Sequence, residues 1–154
     1  MSESTGWSIR TLPEVADTEA LGRELAARLG QGDLVILDGP LGAGKTALTR
    51  GIAAGLGVAG RVSSPTFIIA REHRAGGEGG SALVHVDAYR LGNGPGALDQ
   101  LDALDLDTDL AHAVVVMEWG ADFAGHLAER YLLVRLRREP ESEVRTAEWG
   151  WVGE

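Results

Sequence analysis

An α/β fold, with a mixed and mostly parallel sheet flanked by helices in three layers, is predicted by three observations. Two short apolar, β-branched runs, "DLVILD" (Asp33 to Asp38) and "AVVVME" (Ala113 to Glu118), read as strands buried on both faces. The first runs straight into glycine and then into a helical spacing of apolar residues at Leu48, Ile52 and Leu56. Between the two runs, a strand from Phe67 and the strand "ALVHVD" (Ala82 to Asp87) flank the glycine-rich "AGGEGG", as the arms of an antiparallel hairpin do. A chain of 154 residues buries a sizeable core as one domain and is short for two, so a single domain over residues 1–154 is expected.

In chain order, the stretch Trp7 to Leu12 has room for a short strand. Thr18 then stands where an N-cap is wanted, before Leu21, Leu25 and Leu29 recur every four residues and Gly30 and Gly32 close the helix. After the buried strand and the helix Lys45 to Leu56, Ser64-Pro65 marks a turn. The segment Gly96 to Leu110 alternates leucines with aspartates, which suits short helices with a solvated acidic face rather than a metal site. A short helix near Ala121 to Ala128 and a strand "YLLVRLR" follow "AVVVME". From Pro140 the chain is polar apart from Trp149 and Trp151, so the tail from about 140 to 154 is expected to be partly disordered.

Composition narrows the function. With 14 basic and 23 acidic residues the net charge is −9, and the arginines are scattered, so no basic stripe offers a nucleic-acid face. The absence of cysteine excludes disulfides, thiolate metal sites and thiol nucleophiles. No signal-peptide core and no membrane-spanning run is present, and a cytoplasmic protein with no membrane partner is expected.

One segment carries chemistry openly. Gly39-Pro40-Leu41-Gly42-Ala43-Gly44-Lys45-Thr46 satisfies G-x-x-x-x-G-K-[ST] between a strand and a helix, the context that makes the pattern a phosphate loop and the fold P-loop NTPase-like. Glycines 39, 42 and 44 let successive N–H groups turn inward as an anion nest at the positive end of the following helix. Lys45 is the only lysine among the 14 basic residues. Its narrow ammonium fits between phosphates inside the loop, where the wide guanidinium fork of arginine would force the loop open. Thr46 is expected to offer its hydroxyl to Mg²⁺. Gly39, Leu41, Gly42, Ala43, Gly44, Lys45, Thr46 and Ala47 are thus the expected nucleotide-binding set.

Such a site also needs a carboxylate at the end of a neighbouring strand, and both Asp87 and Glu118 qualify. Glu118 ends the more apolar run and is favoured for Mg²⁺, directly or through water. Asp87 lies in His85-x-Asp87-x-Tyr89-Arg90, where it is suited to orienting a water, while Arg90 reads more readily as one side of a surface ion pair than as a group neutralising phosphoryl charge. His85 reads equally well as a structural histidine. Thr66, in Ser64-Pro65-Thr66-Phe67, is placed to approach the γ-phosphate or the metal as switch segments do, or to serve a plain turn.

Taken together, "GPLGAGKT", "SPTF" (Ser64 to Phe67), "HVDAYR" (His85 to Arg90) and "EWG" (Glu118 to Gly120) resemble the TsaE family, also called YjeE, over about Thr18 to Leu136. The resemblance implies an ATPase of tRNA threonylcarbamoyladenosine biosynthesis, working with the transferase TsaD and its relative TsaB, with tRNA met only through that complex. It implies ATP and Mg²⁺ as ligands, Lys45, Thr46, Thr66, Asp87 and Glu118 in their site, and Thr18 near the adenine. The chain departs from the family at Ala47, where a second threonine is frequent, and at His73, where an aromatic residue is. Two rival readings of the same loop are a small-molecule kinase and a nucleotide-dependent interaction module.

Overall fold

The structure, a computed structural model, describes residues 7–30, 32–40, 44–57, 70–73, 82–87, 113–118, 128–142 and 144–153, with only the backbone of 70–73 and 87. The elements are β1 (Ser8–Leu12), α1 (Val15–Ala26), β2 (Leu34–Asp38), α2 (Lys45–Leu56), β3 (Ala70–His73), β4 (Ala82–Asp87), β5 (Ala113–Glu118), β6 (Arg130–Arg138) and β7 (Arg145–Gly153). They form one mixed sheet in the order β1-β7-β6-β2-β5-β4-β3. The parallel pairings, β6 with β2, β2 with β5 and β5 with β4, occupy the centre, and antiparallel pairings finish both edges.

The two apolar runs take the central places for the reason that made them legible. Leu34, Val35, Ile36 and Leu37 of β2 and Val114 to Met117 of β5 are wholly buried, one alternate set on each face. Val35, Leu37, Val114 and Val116 pack with Leu21 and Leu25 of α1 and Leu48 and Ile52 of α2, so both described helices lie on that face. Leu34, Ile36, Val115 and Met117 form a second core on the other. The β3–β4 hairpin is antiparallel, with Ala70 opposite Val86 and His73 opposite Leu83. The segments 96–110 and 121–127, where short helices are expected, lie outside the described residues.

The helices α1 and α2 meet backbone to backbone. A Cβ added to Gly22 would lie 2.5 Å from the carbonyl oxygen of Leu48, and one added to Gly51 would collide with the carbonyl of Glu19. Glycine at these positions lets the two axes approach more closely than any side chain permits.

Two expectations are corrected. The helix does not begin at Thr18. The Asp17 carboxylate accepts the Glu14 N–H at 2.9 Å, so the first turn opens at Val15 and Thr18 falls on its inner side, 1% exposed. Nor is the tail disordered from 140 onward. Glu139 N–H donates to the Val144 carbonyl at 3.0 Å, closing a turn that returns the chain as β7, paired along its length with β6 and with β1. The period-two set Ala147, Trp149 and Trp151 drives this, because it joins the core under α1 while Trp7 covers Gly150 on the opposite face.

Candidate functional site

The C-terminal ends of β2, β5 and β4 and the first turn of α2 converge on one edge of the sheet. Gly44 caps α2 with φ at 103°, a left-handed conformation costly for any residue with a Cβ. Leu48 N–H is the first in α2 to reach back, donating to the Gly44 carbonyl at 2.9 Å. The helix therefore offers no acceptor to the N–H groups of Lys45, Thr46 and Ala47. Lys45 is 5% exposed, and its Nζ donates to the Gly39 carbonyl at 2.5 Å, which turns the ammonium back toward the end of β2. Thr46 is half-buried and Ala47 buried beside it. Thr49 is satisfied within the helix, donating to the Lys45 carbonyl at 2.9 Å.

Register brings the strand-end acids together. Glu118 stands opposite Leu37 of β2 on one side and opposite Asp87 of β4 on the other. His85, fully buried, holds Glu118 through Nε2 to Oε2 at 2.6 Å. Of the predicted residues, the structure thus gathers Gly39, Gly44, Lys45, Thr46 and Ala47 at the mouth of β2, with Glu118 and Asp87 ending the adjoining strands. Leu41, Gly42, Ala43, Thr66, Tyr89, Arg90 and Trp119 lie outside the described residues.

Thr18 belongs to this region, although not as a cap. A Cβ added to Gly44 would lie 3.7 Å from Thr18 Cγ2 and 4.0 Å from Arg145 Nε. Arg145 is the residue that sequence reading missed, because it sits in the segment expected to be a tail. Its one signal was phase: it shares the inward-facing set with Ala147 and Trp149.

The donors present suit a small hard cation that shares its shell with phosphate: a hydroxyl on Thr46 and a carboxylate on Glu118. Among the described residues no three His, Cys, Asp or Glu side chains gather as an all-protein metal cage. Mg²⁺, bound through one or two protein oxygens with water and phosphate making up the rest, does not need one.

A strand, a glycine-capped turn carrying a buried lysine, and a helix on a centrally parallel sheet define an α/β protein of P-loop NTPase-like fold. The crystal structure of Bacillus subtilis YdiB matches with a TM-score of 0.69 at 27% identity, over 96% of this chain and 86% of that one. The family model "Threonylcarbamoyl adenosine biosynthesis protein TsaE" matches residues 12–147, and the chain belongs to that family. It is 52% identical to the tRNA threonylcarbamoyladenosine biosynthesis protein TsaE of Mycobacterium tuberculosis, across 96% of this chain and 89% of the relative. The protein of the same name from Streptomyces coelicolor is 53% identical across 81% and 84%, and that of Bacillus subtilis 34% across 82% and 75%.

Proposed function

We propose that this protein binds and hydrolyses ATP with Mg²⁺, as the subunit that threonylcarbamoyl modification of adenosine 37 requires in tRNAs reading codons that begin with adenine. It acts with the TsaD–TsaB transferase complex, which holds the tRNA. The observation that carries this reading is Lys45, buried at the start of α2 and turned back onto the Gly39 carbonyl, with Glu118 ending the neighbouring strand. A buried ammonium that donates to a backbone carbonyl at the start of a helix is suited to donate to phosphate oxygens as well.

Lys45 and the N–H groups of the loop bind the polyphosphate, and Thr46 and Glu118 are the residues that would hold Mg²⁺. The cation supplies charge neutralisation on the phosphate oxygens. Asp87, one strand further along, orients the attacking water, with Thr66 closing on the γ-phosphate. Thr18 and Arg145, both beside Gly44, would meet the base or sugar of the nucleotide.

The proposed setting is the cytoplasm; no helix among the described residues is long and apolar enough to cross a membrane. Phosphate release by the purified chain, measured alone and with TsaD and TsaB added, tests the proposal. A slow basal rate that the partners raise is expected. Transfer of phosphate to a small molecule would instead identify a kinase, and a rate indifferent to the partners would identify a nucleotide-dependent interaction module.

A further inference from the structure

We propose that His85 is a positioning residue for Glu118, fixing one carboxylate oxygen so that the other is presented to a divalent cation. The inference rests on the reading of Glu118 as the metal carboxylate.

His85 lies inside β4, opposite Val116, with the Glu118 carboxylate one diagonal step along β5. It is 0% exposed, and alternation along the two strands sets it on the same face as Leu83, Val114 and Val116. Nothing in that apolar setting calls for an imidazole. Its Nδ1 is buried and has no hydrogen-bond partner among the described residues, a condition that costs stability and that a leucine would relieve. Among the described residues, the hydrogen bond of the ring is the 2.6 Å contact from Nε2 to Glu118 Oε2.

Glu118 differs from the rest of β5 in keeping 9% of its side chain exposed, at the lip where the strand ends. The histidine therefore reaches the carboxylate from the dry side. Ionised Glu118 accepts the Nε2–H at Oε2, which leaves Oε1 as the oxygen without a hydrogen-bond partner among the described residues. A glutamate has three side-chain torsions to immobilise before it can serve as a ligand, and a buried donor behind it settles them before the cation arrives. Outer partners of this kind commonly govern metal affinity by about ten- to a hundredfold.

The test uses the full chain saturated with ADP, titrated with Mn²⁺ and followed by electron paramagnetic resonance, so that binding is read without turnover. His85→Leu is expected to weaken Mn²⁺ binding by about tenfold or more, while ADP affinity in EDTA stays at the wild-type value. His85→Gln, whose amide can donate to the same oxygen, should recover most of the loss. Unchanged Mn²⁺ binding in a folded His85→Leu variant would overturn the proposal. Should the leucine variant fail to fold, a glutamine variant that binds ADP normally but has lost Mn²⁺ binding would overturn it as well, because the donor is then not what matters. Glu118→Gln separates the two layers of inference. If Glu118→Gln weakens Mn²⁺ binding and His85→Leu does not, only the positioning role falls. If Glu118→Gln leaves Mn²⁺ binding intact, the assignment of the metal carboxylate falls first.

Discussion

Strand β2 divides the sheet into halves built to different rules. On the side of β5 and β4 the pairings with β2 and with each other are parallel and β5 is buried at every position, and the described polar side chains His85 and Glu118 hold each other. On the side of β6, β7 and β1 buried and exposed positions intermingle. Aromatic rings are shielded there by arginines, with the Arg130 guanidinium 4.0 Å above the Trp151 ring and that of Arg10 5.5 Å from Trp149. The first half places donors and acceptors at one edge. The second closes the core with large rings. Substitutions in the two halves should therefore separate stability from nucleotide handling.

The largest separation is expected from Trp149→Ala, in the closing half. Trp149 is 8% exposed and belongs to the main core, so its loss should cost about 3–5 kcal/mol in denaturant unfolding. The molecules that stay folded should bind ATP as before. Lys45→Ala should do the reverse, lowering ATP affinity or turnover by at least about tenfold, since charge-assisted contacts contribute about 1.5–3 kcal/mol each. Lys45→Arg is the sharper variant: it keeps the charge and changes the shape, and normal turnover would remove the steric account of this lysine. Next in size, Glu118→Ala should weaken the Mg²⁺ dependence of hydrolysis more than Asp87→Ala does; the opposite ranking would exchange their roles.

The smallest effect belongs to the exposed pair Arg10–Glu24, joined at 2.6 Å between β1 and α1. The hydrogen bond to Arg10 holds the Glu24 carboxyl below its ordinary range and raises Arg10 above its own. A carboxylate with a lowered folded pKa stabilises fully above its unfolded pKa and loses that contribution as pH falls through the folded value. Glu24→Gln should cost under about 1 kcal/mol near neutrality, and nothing once the pH is below both values. Unfolding midpoints of the two proteins, measured from neutral to acid pH, should therefore converge.

What the sequence disclosed follows the range of the signal. The β2–loop–α2 unit, the β3–β4 hairpin and β5 were legible because each is written in contiguous residues. The P-loop NTPase-like fold and the strand-end position of Glu118 followed from them. What could not be read depends on register or on distant neighbours. The contact between His85 and Glu118 exists because β4 and β5 are adjacent and parallel, which neither strand states by itself. Arg145 reaches Gly44 because β7 starts at the edge where β2 ends. The strand β7 itself was hidden by its acidic and glycine residues, although Ala147, Trp149 and Trp151 carried the period of a strand. At the start of α1, an aspartate three residues into the helix outcompeted the threonine that looked like the cap.

The seam of Gly22 and Gly51 has a mechanical consequence. With backbone against backbone at Gly22 and Gly51, α1 and α2 cannot slide or roll past each other at these points without collision. The phosphate loop is attached to one of these helices, and Thr18 and the partner of Arg10 to the other. If a nucleotide binds at the first turn of α2 as proposed, a displacement there should move both helices together. Amide hydrogens of α1 and α2 should accordingly exchange with solvent as one cooperative unit, in the nucleotide-free and nucleotide-bound protein alike.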